Sequence, residues 1–245
     1  MMPATHPRTQ GDAVRAVLFD LDGTLLDHDL DAFFARYFEA LERAVAPLAQ
    51  GSSGDIRSFM AAFGEATRTM MRRHPGRTNR DVFHEDFLRR TGIDLHANWP
   101  VFEAFYRDVF PGLRDTAAST PGARRALAAA RSLGLGVAIA TNPIFPRVAV
   151  EHRLAWADLS YADADVVTTY EQMEACKPYP EYYLQTAALL GVDSRECIMV
   201  GDDAVLDMSA RTVGMRTYYV GGTANVAADY TGTLDLLADM LPNLP

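Results

Sequence analysis

The chain has 245 residues, more than the common single-domain size, so one large domain or two unequal ones is expected. Apolar residues make up 49% and charged residues 22%, a globular balance that excludes disorder. With 32 acidic residues against 23 basic ones, a net charge of -9 and no dense Lys/Arg run, the sequence excludes a nucleic-acid binder.

The N-terminal stretch Met1 to Gly11 is polar, with prolines at Pro3 and Pro7, and lacks the apolar core of a secretory signal. No uncharged apolar run reaches the length of a membrane span, and the two cysteines, Cys176 and Cys197, are too few for a disulfide framework. A soluble, cytoplasmic protein is the expectation.

The first element carries the most information. Ala16 to Phe19 reads as a buried strand and runs into Asp20-Leu21-Asp22-Gly23-Thr24. In an open α/β sheet, loops at the carboxyl ends of strands converge on the ligand crevice. Asp20 and Asp22 cannot both be ionised at close quarters without a cation or a shared proton, so either arrangement is a chemical site.

The pattern then turns helical. Phe33, Phe34, Tyr37, Phe38, Leu41 and Val45 recur at spacings of three and four, predicting a helix over 30–48. Gln50-Gly51-Ser52-Ser53-Gly54 is a break, and further helices are predicted over 56–71, 82–90 and 101–110. The stretch 29–117 reads as a helical bundle with no strand. Its stripe of Phe33, Tyr37, Phe59, Phe63, Phe83, Phe87, Phe102 and Phe105 is read as bundle core, and Arg72-Arg73-His74 as a solvated face.

From Ser119 onward, helices and strands alternate. Helices are predicted over 121–133, 146–156, 181–190, 206–213 and 233–240, and strands over 135–140, 165–169, 197–200 and 217–220. Alternation of this kind argues for a parallel, doubly wound sheet, because a parallel crossover needs a helix-length connection. The fold class expected is α/β: a Rossmann-like core, residues 1–28 and 118–245, interrupted by an all-α cap, residues 29–117.

Chemistry-bearing residues fall at several strand ends. The strand 136–140 delivers Thr141 and Asn142, Lys177-Pro178 opens a helix, and the strand 198–200 delivers Asp202, Asp203 and, further on, Asp207. Of 23 basic residues, Lys177 is the only lysine, so a chain with 22 arginines keeps one compact ammonium charge; a neutral surface lysine is the bland reading. A hydroxyl, a lysine and paired carboxylates at one sheet edge suit phosphoryl transfer, which runs on positioning and charge neutralisation.

In order and spacing these segments resemble the four motifs of the haloacid dehalogenase superfamily, over residues ~14–25 and ~119–220. The resemblance implies a hydrolase in which Asp20 is the nucleophile forming an aspartyl-phosphate, and Asp22 is the general acid and then the base. Thr141 with Asn142 would bind the phosphoryl oxygens, Lys177 would offset their charge, and Asp202 would complete a Mg²⁺ site with Asp20 and the backbone carbonyl of Asp22. Asp203 is an alternative or water-mediated metal ligand, and Asp207 orients Lys177 or supports the site from behind. The chemistry suits the family's metal, since a hard divalent ion bridging a carboxylate and a phosphate removes their repulsion.

The function expected is a Mg²⁺-dependent phosphatase acting on a small phosphorylated metabolite, with a phosphomutase or a non-catalytic binding module as alternatives. Asp22 and the Asp202/Asp203 pair argue against a dehalogenase, and the absence of a lysine in the cap excludes a phosphonatase of the Schiff-base kind. Hinges are expected near 27–29 and 115–119, letting the cap close and exclude water. His28 and His74 have no metal-ligand spacing, so no zinc site is expected.

Overall fold

A computed structural model describes residues 13–51, 55–115, 117–221 and 226–244. The readings of Met1 to Gly11 and of residues 52–54 of the 50–54 break lie outside the described residues, while Gln50 and Gly51, read as the start of that break, are the last residues of α1. Chain order is β1 (Ala16–Phe19), β2 (Leu26–Asp27), α1 (Leu30–Gly51), α2 (Ile56–Met70), α3 (Asn79–Thr91) and α4 (Trp99–Ala104). It continues through β3 (Ala118–Ser119), α5 (Ala123–Ser132), β4 (Gly136–Ile139), α6 (Arg147–Trp156), β5 (Val166–Val167) and α7 (Pro180–Leu189). The last elements are β6 (Cys197–Gly201), β7 (Arg216–Tyr219), β8 (Tyr230–Thr231) and α8 (Leu234–Met240).

The six-stranded sheet has the order β5-β4-β1-β6-β7-β8 and every pairing is parallel. Its central strands β1, β4 and β6 are apolar without alternation because both faces are covered. Val17 and Phe19 pack with Val137, Ile139, Ile198 and Val200 on one face, while Ala16 and Leu18 pack with Ala138, Ala140, Cys197 and Met199 on the other. Chain direction from β1 splits to β4 on one side and β6 on the other, the switch point where an α/β sheet opens its crevice. Register aligns Phe19 with Ile139 and with Val200, so the three chains leave the sheet side by side.

The predicted helices over 30–48, 56–71 and 82–90 are present, the first extended to Gly51, the second ending at Met70 and the third running from Asn79 to Thr91. The eight aromatic residues of the stripe are all buried, as bundle core. The helix expected over 101–110 is instead broken up: after α4 the backbone widens to a π turn over Phe105–Val109 and tightens to a 3-10 turn over Phe110–Arg114. Pro111 cannot donate within a continuing α-helix, and the wider turn lets Phe105, Tyr106 and Phe110 all face inward.

The two-stranded ladder β2–β3 was not legible in sequence. It joins Leu26 to Ser119 and Asp27 to Ala118, so both crossings between sheet and helical segment run side by side. Arg36 donates to the Asp115 carboxylate at 2.5 Å beside this ladder, and Asp115 holds a φ of 45°, which few non-glycine residues adopt. A second tie lies at the start of α3. Asn79, fully buried, donates through Nδ2 to the Pro143 carbonyl at 2.9 Å and to Cys176 Sγ at 3.2 Å, and its backbone N–H donates to the Met173 carbonyl. Burial pushes the Cys176 thiol up to about 12, so it is an inert filler rather than a nucleophile.

His84 of α3 is 7% exposed, and its Nδ1 lies 3.2 Å from His96 Nε2. Burial, with His96 and Arg80 adding and Asp81 and Asp94 opposing, pushes the imidazole down to about 4. A base with a depressed folded pKa is protonated more readily in the unfolded chain, so stability falls as pH drops below the unfolded value near 6.5. Between pH 7 and pH 5 the wild type is expected to lose about 2 kcal/mol through this residue, a slope absent in His84→Leu. Urea unfolding of both proteins at the two pH values measures the difference.

Candidate active site

The site is built where β1, β4 and β6 end. Asp20 follows β1 directly; its N–H donates to the Val200 carbonyl at 2.8 Å, while Ala140 N–H donates to the Phe19 carbonyl at 2.6 Å. These ladder bonds fix Asp20 between Thr141, after β4, and Asp202, after β6. Asp20 is 7% exposed, Thr141 1%, Lys177 2% and Asp207 1%, so these polar groups stand in a buried floor.

Lys177 is the centre of the charge pattern. Its Nζ donates to Asp20 Oδ1 at 2.7 Å and to Asp207 Oδ1 at 2.6 Å. Burial alone would push the ammonium down, but Asp20 and Asp207 outweigh it and hold the group well above the usual lysine value. Asp20 is pushed up to about 7, chiefly by burial, against the lowering pull of Lys177 and with Asp207 and Asp202 adding. Asp202 is likewise raised, by burial first and by Asp207 second.

Beyond burial, the charges on this floor do not balance. Asp20, Asp202 and Asp207 bring one oxygen each within 4.8 Å of the others, and Lys177 supplies one positive charge against three carboxylates. A divalent cation offsets the remainder, and an all-oxygen donor set is what a hard ion such as Mg²⁺ takes. The residues therefore fit a divalent metal. Two glycines make the room. Gly23, at φ +79°, lies where a Cβ would overlap the Asp202 carboxylate, and a Cβ on Gly201 would overlap that of Asp207.

The remaining predicted residues are placed as follows. Thr141 Oγ1 is buried and has no hydrogen-bond partner. The Thr141 carbonyl, in contrast, accepts from Thr168 Oγ1 at 2.7 Å and Tyr182 Oη at 2.9 Å, which leaves the hydroxyl free for a ligand oxygen. Asn142 Oδ1 accepts from the Lys177 backbone N–H at 3.1 Å, tying the two loops together. The Lys177–Pro178 peptide is cis. Asp203 is exposed and uses Oδ1 to accept from the N–H groups of Val205 and Leu206, capping its own turn. Asp202 Oδ1 accepts from Thr24 Oγ1 at 3.2 Å.

Asp22 holds a position the sequence did not suggest. His28 Nε2 lies 2.8 Å from its Oδ1, and Arg153 donates to its Oδ2. Arg153 is 2% exposed, with its guanidinium 5.0 Å from the Phe145 ring centroid and 6.0 Å from that of Phe33. Burial pushes Arg153 down to about 10, with Asp20 pulling the other way, so it remains charged at neutral pH. The signal was present in α6: Ala149, Val150, Arg153 and Leu154 share the buried face, and an arginine there needs a partner.

A cavity of about 490 Å³ lies over this floor. Asp20, Asp22, Asn142, Arg153, Lys177, Asp202, Asp203 and Asp207 line one side; Leu30, Phe34, Phe38, Thr67 and Met71, from α1, α2 and the residue after it, line the other.

The fold and the site define an α/β enzyme whose buried carboxylates, at the carboxyl edge of a doubly wound sheet, are fitted to a divalent cation. The chain belongs to the haloacid dehalogenase-like hydrolases, whose family profile matches residues 14–211. It is 30% identical to a plasmid-encoded phosphoglycolate phosphatase of Cupriavidus necator, over 94% of this chain and 91% of that protein. It is 26% identical to a glyceraldehyde 3-phosphate phosphatase of Pyrococcus abyssi, over 84% and 81% of the two chains. In fold it is similar to a phosphatase of the same superfamily from Thermococcus onnurineus, with a TM-score of 0.59 at 23% identity over 93% and 98% of the chains. Among the described residues no helix is long and apolar enough to cross a membrane.

Proposed function

We propose that this hydrolase is a Mg²⁺-dependent phosphatase that cleaves monoesters of small phosphorylated metabolites through phosphorylated Asp20. The observation that carries the reading is Lys177, the one lysine of the chain, held between Asp20 and Asp207 on the lining of the cavity: a carboxylate and an ammonium meet where a phosphoryl group would sit, and Thr141 at the next strand end keeps a hydroxyl with no partner. Asp20, Asp202 and the Asp22 carbonyl would hold Mg²⁺, which supplies charge neutralisation between the carboxylates and the phosphate. Asp207 keeps Lys177 in place.

The steps assigned to the chain's own residues balance as follows. An Asp20 oxygen attacks phosphorus, the ester P–O bond breaks, and the Asp22 carboxyl gives its proton to the leaving oxygen. Asp22, now a carboxylate, takes a proton from water as that water's oxygen attacks phosphorus and the bond to Asp20 breaks. Thr141 Oγ1, the Asn142 amide and Lys177 Nζ hold the phosphoryl oxygens throughout. Both Asp22 oxygens are engaged by His28 and Arg153, so Asp22 turns away from one of them to reach the leaving group, and Arg153 stabilises the carboxylate formed. Residues 29–117 act as a cap that moves on the β2–β3 ladder and closes the cavity against water.

Phosphate release from a panel of small phosphate esters, with Mg²⁺ and with chelator, tests the reading. Release that needs Mg²⁺ is the expected result; no release from any ester would overturn it. Gly23→Ala should weaken Mg²⁺ binding measured by calorimetry and lower turnover by about 10²-fold, because the added methyl displaces the Asp202 carboxylate and the residue must hold φ +79°.

A further inference from the structure

The wall facing the catalytic floor is apolar. Leu30, Phe34, Phe38, Met71, Ile144 and Phe145 make up most of it. The only cations among the described lining residues are Lys177 and Arg153, and each is already paired, with Asp20 and Asp207 or with Asp22. A second phosphate or a carboxylate on the substrate would find no free positive charge there, and desolvating such an anion without a partner is costly.

Behind this wall lies a second, smaller cavity of about 50 Å³ between the helical segment and Ile144, Phe145, Pro146 and Tyr170. Phe34, Phe38, Thr67, Ile144 and Phe145 line both cavities, so the two adjoin across these side chains. The inner one is enclosed by aromatic rings, among them Trp99, Phe102 and Tyr106. Among the residues lining it is His84, a side chain more than nine-tenths buried whose Nε2 has no hydrogen-bond partner. An orphaned buried nitrogen in an apolar chamber marks where a ligand atom completes the bonding.

We propose that the two cavities form one leaving-group site for an uncharged, largely apolar alcohol of arylalkyl type, with a hydrogen-bonding atom at its far end that pairs with His84. This rests on the phosphatase reading and specifies its substrate class. The ester oxygen sits at the floor, the apolar body lies against Phe34, Phe38 and Phe145, and the polar tip reaches His84.

The test compares primary alkyl phosphates of similar intrinsic reactivity in the presence of Mg²⁺: 2-phenylethyl phosphate, 2-(4-hydroxyphenyl)ethyl phosphate, glycerol phosphate and phosphoglycolate. The arylalkyl esters should exceed the other two in kcat/KM by about tenfold or more, the scale that apolar pockets discriminate. Phe38→Ser should lower kcat/KM for the arylalkyl esters by about tenfold while leaving inhibition by inorganic phosphate unchanged; Phe38 is 41% exposed, so the variant folds. In His84→Leu the hydroxyl-bearing ester should lose its advantage over the plain one. A preference for glycerol phosphate or phosphoglycolate would overturn the substrate class and leave the phosphatase reading standing, whereas no turnover of any ester would overturn both. An unchanged ratio of the two arylalkyl esters in His84→Leu would remove His84 from the site.

Discussion

Asp20→Asn should abolish turnover, by at least about 10³-fold, while the protein keeps its fold and loses no thermal stability. The amide is nearly isosteric with the carboxylate but too poor a nucleophile to attack phosphorus. Folding is spared because the substitution removes one of three carboxylates crowded around a single ammonium, and burial already drives Asp20 toward its neutral form. Lys177 keeps its bond to Asp207 in the variant. The companion substitution Lys177→Arg should cost about 10²-fold in kcat despite conserving charge, since the side chain is enclosed with Nζ within hydrogen-bond range of two carboxylates and above the Tyr182 ring. Turnover near the wild-type rate in either variant would remove the role assigned to that residue. Circular dichroism and thermal melts on the same samples separate chemistry from folding.

Arg153→Met should lower kcat by about 10²-fold with little change in KM, because it strips one partner from Asp22 without touching the floor that binds phosphate. Methionine is an unbranched side chain that replaces the Arg153 stem near Phe33 and Phe145, so packing is largely kept. The electrostatic cost falls on Asp22, which retains only His28; since part of the Asp22 side chain reaches solvent, a loss of about 1–3 kcal/mol is expected rather than the full penalty of a buried orphan charge. The cycle with Asp22→Asn is diagnostic. If Arg153 acts through Asp22, adding Arg153→Met to Asp22→Asn costs little further activity, while independent effects would multiply. A near wild-type kcat for Arg153→Met alone would contradict the positioning role.

The sequence carried the sheet and the acidic strand ends because local signals and tertiary context agreed there. Ala16 to Phe19, 136–140 and 198–200 are uninterrupted apolar runs because both sheet faces are covered, and the polar residues after them are conspicuous for that reason. Strand order was beyond reach: it is set by pairings over more than a hundred residues, such as Phe19 with Ile139 and Val200. The β2–β3 ladder and β8 have two residues each, too short for any periodicity, and the π turn at 105–109 depends on where three aromatic rings pack rather than on their spacing. The partners of Asp22 were missed for different reasons. Arg153 is one of 22 arginines and is marked out only by lying on the buried face of α6, and His28 was weighed as a metal ligand rather than as a neighbour of a carboxylate. The apolar wall and the second cavity combine rings on α1, α2, α3 and α4 with Tyr106, Phe145 and Tyr170, which meet only in three dimensions.

The central claim is that phosphorus passes through Asp20. Mixing wild-type protein and Mg²⁺ with a ³²P-labelled ester that it hydrolyses, quenching in acid within the first turnover and mapping the peptides tests it directly. Label on Asp20, released by mild alkali as an acyl phosphate is and absent from Asp20→Asn, is the expected result. Burst-free hydrolysis with no labelled peptide, or label on another residue, would contradict it.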